Sequence, residues 1–275
     1  MRIAVVAPAR AITKAVAEQV TALAAERFDG RAALDFAPQC FAQAGHFAGD
    51  DDARADALIA AANDPEVDAV WFAAGGYGSG RLLDRVLSAL TDPARAKTYL
   101  GYSDAGFLLG ALYAAGFERV VHGPMPNDVK REGGAEAVVR SLGFLLDPKT
   151  APLEAFLAPG DRAAAFNLTI LSHLIGGPHE PDLAGHVLMV EEVCEHHYRI
   201  DRALIHVLSS PNVRRIAGLR LGRCSDIPEN DIPFGADEEA IAQRACAQAG
   251  VRYLGRADIG HDAANAIVPF GAWRG

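Results

Sequence analysis

The chain has 275 residues, half of them apolar and 22% charged, with a formal net charge of −9. That length supports a well-buried core in one large domain or two modest ones, and an acidic balance without a Lys/Arg cluster argues against a nucleic-acid footprint. No apolar run approaches the ~20 residues of a membrane span.

At the N-terminus the apolar run of MRIAVVAPAR is too short for a signal-peptide core and is cut off at Pro8, so the chain reads as soluble and cytoplasmic. The run IAVVAP itself suits a buried parallel strand. KAVAEQVTALAAERF follows with Ala and Leu at helical steps, then ALDFAP as a second strand. DDARADALIAAANDP is helical, its Asp residues in the first turn where they complement the dipole. VDAVWFAAGGYG is a strand running into glycines, RLLDRVLSAL a helix, KTYLGYS extended, DAGFLLGALYAAG a helix stopped at Gly116, and RVVHGPM extended again. This alternation predicts a doubly wound α/β domain over residues 1–147.

The rhythm then breaks. DPKTAPLEAFLAPGD carries three prolines and predicts a connector over 148–164. Beyond it, extended runs (HVLMVEEV, IAGLRLG) mix with helical ones (YRIDRALIHVLSS, DEEAIAQRACAQAG), which predicts a second, smaller α/β domain over 165–275. The four cysteines are widely spaced with no CxxC pair, as expected of unpaired thiols in a reducing compartment.

Two stretches could carry chemistry. AAGGYGSGRLLD is a glycine-rich turn between strand and helix, a usual way of presenting backbone N–H groups to an anion. It lacks the Gly-Lys-Ser/Thr of a Walker loop, and its glycines miss the dinucleotide spacing. A tight turn without ligand and an oxyanion or carboxylate site both fit. In LGYSDAGFLL, Ser103 stands between a strand and a helix, with Gly101 two residues before it and Ala105 two residues after. Gly-x-Ser-x-Gly is the pattern of a nucleophile elbow, and Ala105 is a small departure from it. The Asp104 N–H would then lie at a helix start, able to meet an oxyanion. A plain Ser N-cap explains the same residues.

A serine nucleophile needs a histidine and an orienting acid nearby in space. His261, in the Gly/Asp-rich DIGHDAANAIVPFG, suits a side chain aimed into a cleft, whereas His173 in NLTILSHLIGG reads as a packing residue. Glu191 closes the apolar run HVLMV, where a carboxylate is either paired and functional or at a surface edge. EHHYRIDR invites a metal reading, but adjacent ligands on a helix point about 100° apart and no HExxH accompanies them; no metal is expected.

Taken together, GGYGSGRLLD, LGYSDAGFLL, HGPMPND, FNLTIL, LMVEEVCEHHYRIDRAL and IGHDAANAIVPFG resemble, in this order, the LD-carboxypeptidase family of serine peptidases. The family includes muramoyl-tetrapeptide carboxypeptidases and microcin C immunity peptidases. The resemblance spans nearly the whole chain. It implies a flavodoxin-like N-terminal domain, a smaller α/β domain, and a site at their junction. It also implies a Ser103–Glu191–His261 triad, with an oxyanion held by backbone N–H groups near Gly76 and Asp104. No cofactor is implied; a homodimer is suggested.

Three departures bear on the pocket. Ala74 stands where relatives commonly carry an arginine, Ala165-Phe166 replaces two glycines, and the opening turn is Pro8-Ala9-Arg10. The resulting expectation is a carboxypeptidase that releases D-alanine from murein tetrapeptides at an L,D-bond. The alternatives are an immunity-type peptidase acting on a peptide-nucleotide conjugate, and a non-catalytic anion- or nucleotide-binding module. An exopeptidase must also bind a free carboxylate, for which Arg81, Arg199 and Arg202 are the expected cations, with Tyr77 a further contact.

Overall fold

Strands and helices alternate through the first half in the order β1 (Arg2–Val6), α1 (Lys14–Phe28), β2 (Ala33–Phe36), α2 (Asp51–Asn63), β3 (Ala69–Phe72), α3 (Leu83–Ala89), the one-turn α4 (Asp92–Arg95), β4 (Thr98–Gly101), α5 (Gly106–Ala114), β5 (Val120–His122) and α6 (Gly134–Leu146). The computed structural model describes residues 1–158 and 160–272. β1 to β5 form a parallel sheet in the order 2-1-3-4-5, the flavodoxin-like winding. Such strands are buried on both faces, which is why they read as unbroken apolar runs. Val16 and Val20 of α1 pack with Leu142 of α6 on one face; Leu58, Val86 and Leu108 of α2, α3 and α5 pack on the other.

The second half runs β6 (Arg162–Asn167), α7 (Leu168–Leu174), β7 (Val187–Val193), α8 (His197–Ser209), β8 (Gly218–Ser225), α9 (Glu238–Ala249), β9 (Tyr253–Arg256), β10 (Val268–Pro269) and β11 (Gly271–Ala272). β6 to β9 are parallel, and the sheet order is β11-β6-β7-β8-β9. The connector expected over 148–164 ends earlier, because Ala163 already pairs with Val187 of β7 and with Gly271 of β11. Its sequence RAAAFN hid the strand, since alanine carries little β signal.

The two sheets are stitched by adjacent dipeptides. β10 adds antiparallel to β5 of the first sheet, and β11, one residue later, adds antiparallel to β6 of the second. The first sheet therefore takes an edge strand from beyond residue 165. The halves also meet through α5 and α7, where Gly106 lies against Ile170 and Gly110 against Leu174 and Phe166. A Cβ on Gly110 would come within 2.7 Å of a Leu174 methyl, so glycine here lets the helices approach without displacing that side chain. The apolar cluster of α5 runs on without a break through Phe166, Leu171 and Leu204.

Candidate functional site

Ser103 follows β4 directly, at the C-terminal end of the first sheet, where open α/β sheets place their ligands. Its φ is +58°, a left-handed conformation that a residue with a Cβ adopts at a cost of about 1–3 kcal/mol. It is not the N-cap of the short turn Ser103–Ala105, whose cap position falls on Tyr102. Instead its Oγ lies 2.9 Å from His261 Nε2, and His261 Nδ1 lies 2.6 Å from Glu191 Oε2. The structure thus brings together Ser103 from the first sheet, Glu191 from β7 and His261 from the loop between β9 and β10.

Glu191 is fully buried, not at a surface edge. Gly222 of β8 makes room for it, since a Cβ there would stand 2.9 Å from Glu191 Cβ and 2.7 Å from the Ile259 carbonyl oxygen. The neighbouring Glu192 serves another purpose. Its carboxylate accepts from Asn167 Nδ2 (2.6 Å), Thr169 N–H (2.9 Å), Thr169 Oγ1 (2.7 Å) and Val193 N–H (2.9 Å), fixing the start of α7. Burial would push the His261 pKa down, but the Glu191 carboxylate outweighs it, and the imidazole ends above its ordinary value.

The loop that carries His261 has no regular structure and is clamped from several sides. Arg131 donates to the His261 carbonyl, Arg140 donates to the carbonyls of Ala263 (3.1 Å) and Asn265 (2.8 Å), and Arg223 pairs with Asp262. The buried Asn265 accepts the Gly260 N–H at 3.2 Å and lies 2.9 Å from His122 Nε2. Tyr102, whose hydroxyl donates to Asp128 at 2.8 Å, puts its ring 5.0 Å from the His261 ring. Burial raises the Tyr102 pKa, so it stays a neutral donor.

The glycine-rich loop does bind a carboxylate, and it is the protein's own. Asp104 is 1% exposed and accepts the N–H groups of Gly78 (3.3 Å) and Ser79 (2.9 Å). These contacts seat the loop against the Ser103 turn. Gly75 touches Ser103: a Cβ there would lie 2.9 Å from both Ser103 Cβ and Oγ. Gly76, at φ +117°, lines the same cleft as Ser103 and His261.

The expected cations are placed elsewhere. Arg81 is tied to Asp51 through Nε at 2.8 Å and a second nitrogen at 2.7 Å, over the Phe47 ring. Arg199 lies 3.4 Å from Glu195, and both Arg199 and Arg202 line a groove between α7 and α8. Tyr77 is exposed and packs beside His46 and Phe47. His173, expected to pack in the core, is exposed, with Nδ1 2.7 Å from the Thr169 carbonyl oxygen. The residues around Ser103 that sequence reasoning did not single out include Gly75, Tyr102, Met125, Asn127, Asp128, Arg131 and, as a cation, Arg10. The HGPMPND block held a signal for Asp128, a carboxylate just after a proline turn. A separate cavity of about 930 Å³ opens at the N-terminal ends of β4 and β6, lined by Thr98 and Arg162, and holds none of these groups.

Comparison with known proteins follows the same division. Residues 3–123 match the LD-carboxypeptidase N-terminal domain and residues 162–274 the C-terminal domain. A putative carboxypeptidase of Synechocystis is 34% identical over 83% of this chain and 76% of its own length. The murein tetrapeptide carboxypeptidase of Pseudomonas aeruginosa is 28% identical over 82% of this chain and 78% of its own. The fold is shared with a muramoyltetrapeptide carboxypeptidase from Oxalobacter formigenes (TM-score 0.80, 23% identity, 98% of this chain and 93% of that one). It is shared too with MccF in complex with glutamyl sulfamoyl guanosine (TM-score 0.76, 15% identity, 98% and 91%).

Proposed function

This chain belongs to the LD-carboxypeptidase family of serine peptidases, and we propose that it is a cytoplasmic enzyme releasing D-alanine from murein tetrapeptides at the L,D-bond. The observation that carries the reading is the hydrogen-bonded line Ser103–His261–Glu191, with Ser103 held at positive φ. His261 Nε2 takes the Ser103 proton as Oγ attacks the carbonyl carbon. The N–H groups of Gly76 and Asp104 receive the oxyanion. Collapse breaks the C–N bond, and His261 passes its proton to the leaving amine of D-alanine. Water then attacks the acyl-serine, again giving a proton to His261, and the shortened peptide leaves as Ser103 regains its hydrogen. Glu191 holds the Nδ1–H and steadies the imidazolium throughout.

The murein substrate draws support from the Pseudomonas relative. A second reading keeps the chemistry and changes the leaving group to a nucleotide-like amide, supported by the fold shared with MccF. A nucleotide-binding module without catalysis fits less well, because Asp104 occupies the N–H groups of Gly78 and Ser79 that a phosphate would use. Mass spectrometry of a murein tetrapeptide and of an aminoacyl sulfamoyl nucleoside, each incubated with the protein, decides among them. Release of D-alanine as the faster reaction supports the proposal; faster cleavage of the nucleoside conjugate favours the second reading, and cleavage of neither rejects both.

A further inference from the structure

An enzyme that trims one residue from a peptide end must recognise the carboxylate of the residue it removes. That carboxyl carbon lies only about 2.5 Å from the scissile nitrogen, so its anchor has to stand beside Ser103. Among the described residues lining the Ser103 cleft, the cations are Arg10 and Arg131. Arg131 is engaged: it pairs with Asp128 at 3.0 Å and donates to the His261 carbonyl. Arg10 has no carboxylate at ion-pair distance among the described residues, and it is exposed.

The segment that presents Arg10 is rigid. Just after β1, the Gln39 side chain clamps Ala7, accepting its N–H at 3.1 Å and donating to its carbonyl at 2.6 Å. The Arg54 guanidinium, itself fully buried, donates to the Pro8 carbonyl, and Ala48 N–H donates to the Ala9 carbonyl at 2.9 Å. Pro8 and Ala9 are buried, so the chain surfaces only at Arg10. The Arg10 side chain then lies across Gly76, its Cγ and Cδ 3.2 and 3.1 Å from where a Cβ on that glycine would stand. Glycine at 76 therefore gives the arginine stem a bed next to the backbone that faces the reacting carbonyl. The stem packs while the guanidinium stays solvated, an arrangement suited to a bidentate carboxylate contact.

We infer that Arg10 is the specificity-determining residue that binds the free α-carboxylate of the departing amino acid. This deepens the proposed carboxypeptidase reading and rests on it for the direction in which the peptide lies. Arg10 takes no part in bond making; it selects peptide acids over amides and internal bonds.

The test measures binding, so that it does not depend on turnover. Dissociation constants for the murein tetrapeptide acid and its C-terminal amide are measured by calorimetry on Ser103→Ala and on Ser103→Ala/Arg10→Gln. The acid is expected to bind roughly 10- to 100-fold tighter than the amide to Ser103→Ala, the range of one charge-assisted contact. In the double variant that ratio should fall to about twofold or less, Arg10→Lys should restore part of it, and Arg81→Gln should leave it intact. A ratio near one in Ser103→Ala, no measurable binding of the acid, or full preference retained without Arg10 overturns the inference. Release of D-alanine by the unsubstituted protein is scored separately and reports on the carboxypeptidase reading alone.

Discussion

Asp104 and Ser79 hold each other through two hydrogen bonds: the Ser79 N–H donates to the Asp104 carboxylate at 2.9 Å, and the Ser79 hydroxyl donates to the Asp104 carbonyl. This pair joins the turn that carries Ser103 to the loop that carries Gly75 and Gly76. Asp104→Ala leaves buried N–H groups of Gly78 and Ser79 without their acceptor, each costing about 1–3 kcal/mol. The variant is expected to unfold at lower denaturant and to lose kcat more than it raises KM. Chemical denaturation and steady-state kinetics check both; unchanged kcat would mean that the loop does not need this tie.

Ser103 should be separable into its chemistry and its strain. Ser103→Ala is expected to lower kcat by roughly 10⁴-fold or more and to abolish labelling by a fluorophosphonate. Ser103→Gly should be equally inactive yet more stable than Ser103→Ala by about 1 kcal/mol, because glycine adopts φ +58° freely. Near-normal turnover in either variant would remove Ser103 from the reaction.

The two adjacent glutamates predict opposite phenotypes. Glu191→Gln weakens the hold on His261 and should lower kcat by about 10³- to 10⁴-fold with little change in KM. Glu192 has its acceptors filled by Asn167, Thr169 and Val193, so Glu192→Gln should cost stability and leave most of kcat. Comparable losses of kcat in both would show that the wrong carboxylate faces the imidazole.

The pH profile follows from the imidazole. His261 must be neutral to accept the serine proton, and Glu191 holds its pKa above the ordinary 6.5. kcat/KM should therefore fall on the acid side with an apparent pKa above that value. Glu191→Gln removes the charge that favours the imidazolium, so the residual activity should persist to lower pH. His196→Ala and His197→Ala should keep most activity, and EDTA should make no difference. An acid limb unmoved in Glu191→Gln would detach His261 from Glu191.

Gly75 gives the most local test of geometry. Gly75→Ala places a methyl 2.9 Å from Ser103 Oγ, closer than contacting atoms tolerate. Ser103 must shift, and a displacement of about 1 Å costs on the order of 10²-fold in kcat. Circular dichroism should show an intact fold. A variant with full kcat would mean that the serine moves freely in its turn.

Which features could be read from the chain alone follows from how each is encoded. The parallel strands of the first sheet announce themselves as continuous apolar runs such as AVWF, and the helices between them by period. β6 did not, because the buried alanines of this strand, paired beside β7, carry no periodic contrast. β10 and β11 lie in one short apolar stretch, yet the Val268–Pro269 and Gly271–Ala272 pairs serve different sheets; nothing local encodes such a change of partner. Ser103, Glu191 and His261 stand out as candidates because each sits at an abrupt change of pattern, but it is the family resemblance, not a local signal, that joins them into a triad. Arg10 and Arg131 could not be ranked above Arg81, because a cation's worth depends on which carboxylate reaches it first. Asp51 reaches Arg81 across 30 residues, a pairing only the fold decides.

The pairing of β10 and β11 with different sheets also sets when the proposed site can assemble as the chain is made. A ribosome that has delivered β1 to β9 has supplied Ser103 and Glu191 but neither His261 nor the strands that finish both sheets. On the proposed mechanism, partly synthesised chains hold a serine without a base, and the proposed site assembles only once the segment 257–272 has emerged and docked on both halves.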